Sequence, residues 1–175
     1  MREQLPIAQA RRIEIDADPG FADWMAEAGV SLVFTSYRSG EVMMLARSPT
    51  GTLLLTTSGL ERCMGLGAGS GGLWVAAAYR LWRFANIVPP GGEHEGHDGV
   101  FLPMASHTTG EIDVHDIAVL SAVDPLFVAT RFSCLARLAP DHSFAPVWQP
   151  PFIDARVAED RCHLHGLAMA DAQPI

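Results

Sequence analysis

Seven histidines stand in a chain of 175 residues. Four of them crowd two short blocks: His107 and His115 in SHTTGEIDVHD (106–116), His163 and His165 in EDRCHLHGLAM (159–169). Neutral imidazole is a common ligand for transition metals and the usual acid–base group near neutral pH. Residues two apart on a strand project from one face, so His163 and His165 form a chelating pair if 162–169 is extended. Asp113 and His115 hold the same relation, and a carboxylate beside an imidazole orients it and raises its basicity. One set of residues therefore supports two chemistries. As ligands, His107, His115, His163 and His165 would hold a divalent transition metal. As acid–base machinery, His115, Asp116 and His163 would act with Asp113 as orienter, and Arg161 would hold an anionic substrate. A structural alternative stays open beside both. Histidines at strand ends also bond backbone carbonyls, and Asp–His pairs also bridge adjacent sheets. No zincin helix or CxxC pair adds weight to the metal.

The remaining candidates carry weaker signals. His94-Glu95-Gly96-His97-Asp98 has ligand-type residues, but a Gly-flanked polar loop is ordinarily just solvated. Cys162 beside His163 would make a thiol–imidazole pair, except that neighbours on a strand face opposite ways. Cys134, in FSC, is a further thiol candidate. Arg131, like Arg161, either holds an anion or bridges a local carboxylate. Trp74, Trp82, Trp148 and Phe152 read as core or sheet-interface residues.

The elements that must position these residues are mostly short strands. One helix precedes them: Asp18 as N-cap, Pro19 at the first position, an apolar stripe of Phe21, Trp24, Met25 and Ala28, and Gly29 as a left-handed stop. That helix should dock its aromatic face on the strands that come after it. Residues 31–37 (SLVFTSY) and 41–46 (EVMMLA) flank a turn at 38–40, and 52–57 (TLLLTT) comes after another at 49–51. Further apolar runs are 64–69, 73–79 and 80–84. The GSGG at 69–72 lacks the context of a phosphate loop and reads as a tight turn. Residues 86–112 read as a long polar connection interrupted by a short strand at 100–102. Residues 140–161 read as an extended stretch pinned by Trp148 and Phe152.

A weak internal repeat organises these strands. Met64-Gly65-Leu66-Gly67, His115-Asp116-Ile117-Ala118 and His165-Gly166-Leu167-Ala168 resemble one another and begin 51 and 50 residues apart. The first two are followed by Leu73-Trp74-Val75-Ala76 and Leu126-Phe127-Val128-Ala129, and then by Leu81-Trp82-Arg83-Phe84 and Cys134-Leu135-Ala136-Arg137-Leu138. A period near 50 built of about four short strands is the signature of a β-propeller blade. The innermost strands of successive blades line a central channel, so His115 and His165, at equivalent repeat positions, should converge there.

Composition bounds the rest. Apolar residues make up 49% and charged residues 18%, enough for a core and no basis for disorder. Lys plus Arg total 12 against 20 Asp plus Glu, a net charge of −8. Nucleic acid and anionic membranes want a basic face, so neither is an expected partner. Three cysteines form too sparse a set for a secreted disulfide framework. No apolar run reaches the roughly 18 residues of a membrane helix, and the charged amino terminus has no signal-peptide core. A cytoplasmic location is expected.

The motifs TGEIDVHD (109–116), TRFSCL (130–135), SFAPVWQPPF (143–152) and EDRCHLHGLA (159–168) resemble a bacterial family of conserved hypothetical proteins catalogued as a domain of unknown function. The resemblance covers most of the chain from about Phe21 onward. It implies a propeller-like, all-β architecture and brings no activity or substrate. Members are longer than this chain, so it looks like the N-terminal portion of one. His165 departs from the pattern, where Asn is usual, and no role is carried over to it.

The expected organisation is an N-terminal extension over 1–17 and one partial β-propeller-like domain over 18–175, truncated at its C-terminus. A closed propeller needs at least four blades, and blades of about 50 residues would leave this one open. Self-association through open sheet edges is then expected. The expected function is an enzyme using the channel-facing His and Asp residues on a small polar or anionic substrate, metal-assisted or not. The alternatives are a non-catalytic propeller scaffold binding a protein or small ligand, and a truncated inactive fragment.

Overall fold

A computed structural model describes residues 13–69, 71–171 and 173–175. Most of the expected N-terminal extension therefore lies outside the described residues, as do Ser70 in the GSGG turn and Ala172. Three antiparallel sheets succeed one another along the chain. The first is β1 (Leu32–Ser36), β2 (Glu41–Arg47) and β3 (Leu53–Gly59). The second is β4 (Leu66–Gly69), β5 (Gly72–Ala77), β6 (Arg80–Asn86) and β7 (Phe101–Thr108). The third is β8 (Val114–Ser121), β9 (Asp124–Ala129), β10 (Cys134–Arg137) and β11 (Ala145–Trp148). In each, every strand pairs with its successor in sequence. These up-and-down meanders are blades, and the fold is all-β and propeller-like. A short pair, β12 (Met169–Ala170) and β13 (Gln173–Pro174), comes after the third blade.

The sheets stack face to face, and the central strands show why their sequences are continuously apolar. Leu73 and Val75 of β5 join Val42, Cys63 and Phe84 on the side of the first sheet. Trp74 and Ala76, the alternate residues, join Ile117, Phe127, Ala129 and Cys134 on the side of the third. β9 repeats the device. Phe127 and Ala129 face the second sheet, while Leu126 and Val128 pack with Leu135 against Leu164, Leu167 and Met169. A strand buried on both faces loses the polar alternation of a half-exposed one. Each fully buried side chain of this size contributes about 1.5–3 kcal/mol.

The inner strands β4 and β8 lie side by side, and glycine permits the approach. The Gly65 N–H donates to the Val114 carbonyl at 3.0 Å. A Cβ on Gly67 would stand 2.5 Å from the Ile117 carbonyl oxygen, and one on Gly69 would stand 2.6 Å from a Val119 methyl.

Five expectations need correction. The helix, α1, spans Phe21–Ala28 with Gly20 rather than Asp18 at its N-cap, and its end at left-handed Gly29 is as expected. Asp18 contributes its carbonyl to the turn that precedes it. The aromatic face does not dock: Phe21 stacks on Trp24, Trp24 stays half exposed, and Met25 is the buried residue. Within 86–112 the short strand is the eight-residue β7, paired along β6 from Arg80 to Asn86. As the outer strand it is almost wholly exposed, so it shows no alternation, and Pro103 hides it further. The Trp148 and Phe152 side chains are exposed; Phe144 against Phe132 and buried Ile153 anchor that stretch. Finally, 162–168 is irregular, and β12 begins only at Met169.

Candidate functional site

His115 lies near the start of β8, the inner strand of the third blade. The segment 162–168 runs beside it, held from two sides. Asp116 accepts from the Ile117 N–H at 2.8 Å with one carboxylate oxygen and from the Leu167 N–H at 3.0 Å with the other. Thr130, 1% exposed, donates its hydroxyl proton to the Leu164 carbonyl at 2.7 Å. It opens a single 3-10 turn (Thr130–Phe132) between β9 and β10.

These ties bring three imidazoles together. Ring centroids of His115 and His165 are 4.5 Å apart, of His115 and His163 5.4 Å, and of His163 and His165 5.8 Å. One ring nitrogen from each lies within 4.8 Å of those of the other two. A tetrahedral metal with bonds of about 2.0–2.1 Å sets its ligands roughly 3.3 Å apart.

Proton bookkeeping identifies the free nitrogens. His115 Nδ1 is 3.0 Å from the Asp113 carbonyl and 2.9 Å from the Thr130 hydroxyl. A carbonyl only accepts, and the one hydroxyl proton already goes to Leu164. In its neutral form His115 therefore carries its proton on Nδ1 and leaves an Nε2 lone pair. His163 Nδ1 is 2.6 Å from an Asp160 carboxylate oxygen, which in the neutral ring likewise leaves Nε2 free. Metal-binding histidines characteristically hold their other ring N–H in this way.

Backbone strain collects around the cluster. Asp113, Ser133, Asp160 and His163 all have φ between 46° and 52°, a region costly for residues with a Cβ. Left-handed His163 replaces the expected strand and turns its ring to the shared site by another route.

The other expected residues fall elsewhere. His107 is on outer strand β7, where Nε2–H donates to the Ser143 carbonyl at 3.0 Å; it is not in the cluster. A channel-facing role does not fit an outermost strand. The Asp113 carboxylate pairs with Arg62 at 3.5 Å, and its carbonyl, not its side chain, meets His115. Both oxygens of Asp116 are taken by backbone N–H groups, so it is a staple rather than a free base. Arg161 bridges Asp154 and Glu159. Arg131 pairs with Glu111, which also takes a 2.6 Å hydrogen bond from Arg62. That bond holds the Glu111 carboxyl below its ordinary range. His94 and His97 close a tight backbone turn and stand outside the ligand group. Cys63 and Cys134 are free thiols whose pKa values burial pushes up, and Cys162 is free but outside the cluster.

Sequence reasoning missed Thr130 and Asp160. Both stand in motifs already singled out, TRFSCL and EDRCHLHGLA, yet their partners are set by folding alone.

Residues 19–175 match a family model described as "Domain of unknown function (DUF4915)". Among curated proteins none matches significantly. Among solved structures the chain is similar to a catalytically inactive virginiamycin B lyase from Staphylococcus aureus with quinupristin, at 15% identity and a TM-score of 0.43. The likeness covers 74% of this chain and 41% of that one, so the chain spans about two-fifths of that protein's length.

Proposed function

The chain belongs to the family described as Domain of unknown function (DUF4915), and from that premise we propose that it is a metal-dependent enzyme centred on His115, His163 and His165. One observation carries the reading: three imidazole nitrogens from two repeats stand within 4.8 Å of one another. Three neutral imidazoles suit a divalent transition metal such as zinc, iron or nickel and leave coordination positions open. A metal there would supply Lewis-acid polarisation and an activated water. The protein's own part is to hold the rings: His115 through Thr130 and the Asp113 carbonyl, His163 through Asp160. Exposed His163 and His165, with polar neighbours, fit a small polar or anionic substrate.

A metal-free reading has its own support. His163 on Asp160, at 2.6 Å, has the form of a general-base dyad. Chelation separates the two. Turnover of small ester, amide or phosphate substrates by metal-reconstituted protein should disappear with EDTA and in His163→Ala. Turnover that survives EDTA would favour the dyad. Stoichiometric metal without turnover on any substrate class would leave a non-catalytic scaffold.

A further inference from the structure

We infer that Thr130 and Asp160 are positioning residues: Thr130, with the Asp113 carbonyl, holds His115, and Asp160 holds His163, so that both rings present Nε2 as the ligand atom. The inference rests on the metal reading for one of its two readouts.

Thr130 has a single hydroxyl proton and two neighbours. Its short bond to the Leu164 carbonyl, 2.7 Å, uses that proton. Toward His115 Nδ1, 2.9 Å away, the oxygen can then only accept. At 1% exposure no water competes for either bond. One buried hydroxyl thus couples the hold on His115 to the placement of the segment carrying His163 and His165. Asp160 does the same for His163, with a carboxylate that can only accept while ionised. Its own N–H donates to the Arg131 carbonyl at 2.9 Å. Arg131 directly succeeds Thr130, so both acceptors stem from one 3-10 turn and its contacts. Free histidine prefers the opposite tautomer, with the proton on Nε2. Losing the Asp160 acceptor therefore presents the wrong nitrogen of His163 to a metal, whereas losing the Thr130 hydroxyl leaves His115 Nδ1–H the Asp113 carbonyl but releases the ring and the segment tied through Leu164.

Nitrogen-15 NMR of the metal-free full chain reads the tautomers, and zinc titration reads the consequence. In the wild type, His115 and His163 should both show a protonated Nδ1 and a bare Nε2. Asp160→Ala should move His163 to the Nε2–H form and leave His115 unchanged. Zinc affinity should fall about 10–100-fold in Asp160→Ala and in Thr130→Val, and Thr130→Ser, which keeps the hydroxyl, should restore it. Near-ultraviolet circular dichroism checks that each variant is folded. If Thr130→Val does not fold, Thr130→Ser and Asp160→Ala still carry the test. An Nε2–H ring at either histidine of the wild type overturns the inference, and a folded variant binding zinc as tightly as wild type overturns that residue's role. A wild type with both expected tautomers and no zinc uptake would overturn the metal reading while supporting the positioning one.

Discussion

His115 and His165 stand at the same position of successive repeats, 50 residues apart in sequence, and their ring centroids are 4.5 Å apart. The repeat that generates the blades thereby also generates the site: equivalent residues of neighbouring inner segments meet. Four consequences can be measured.

The close approach of β4 to β8 depends on glycine. Gly67→Ala would set a methyl group 2.5 Å from the Ile117 carbonyl oxygen, a backbone atom that cannot swing aside. Overpacking of this kind costs about 1–3 kcal/mol. The melting temperature should drop by roughly 2–4 °C per kcal/mol for a chain of this size. A variant that melts with the wild type would show that the inner strands do not pack this closely.

Asp116 should matter for stability rather than chemistry. Asp116→Asn leaves the Leu167 N–H facing either an amide nitrogen or a weaker neutral acceptor. Hydrogen bonds to charged groups contribute about 1.5–3 kcal/mol, so urea denaturation should show a loss near that size. Any turnover under saturating metal should remain in the folded fraction. Full stability with abolished turnover would instead return Asp116 to the catalytic group.

Glu111 gives the fold an acid-sensitive joint. Arg62 first, with Arg131 behind it, holds its carboxyl below the ordinary range. A depressed folded pKa adds stability that is present above the unfolded value, about 4.3, and is lost as pH falls through the folded value. Glu111→Gln should lower the melting temperature at neutral pH, and the gap to the wild type should start to narrow only as pH falls below the unfolded value. Parallel curves down to pH 3 would exclude this contribution.

Burial decides how much of the structure was legible in the sequence. LWVA and LFVA declare central strands because β5 and β9 are buried on both faces. β7 declared only its first residues, as the short strand at 100–102, because an exposed outer strand is under no pressure to alternate. The His115–His165 pair was readable from the repeat. His163 joins them through a left-handed backbone that no strand pattern encodes. His107 misled because a nearby position in sequence lies on the far edge of the blade. Thr130 and Asp160 were hidden for a different reason: acceptor roles belong to contacts, not to residue types.

The central claim is the three-histidine centre, and isothermal titration of zinc into the full chain tests it most directly. One equivalent should bind to the wild type and to His107→Ala alike, with binding at least about tenfold weaker in His115→Ala and His163→Ala. Absence of a stoichiometric site in the wild type, or undiminished binding in both His115→Ala and His163→Ala, would contradict it.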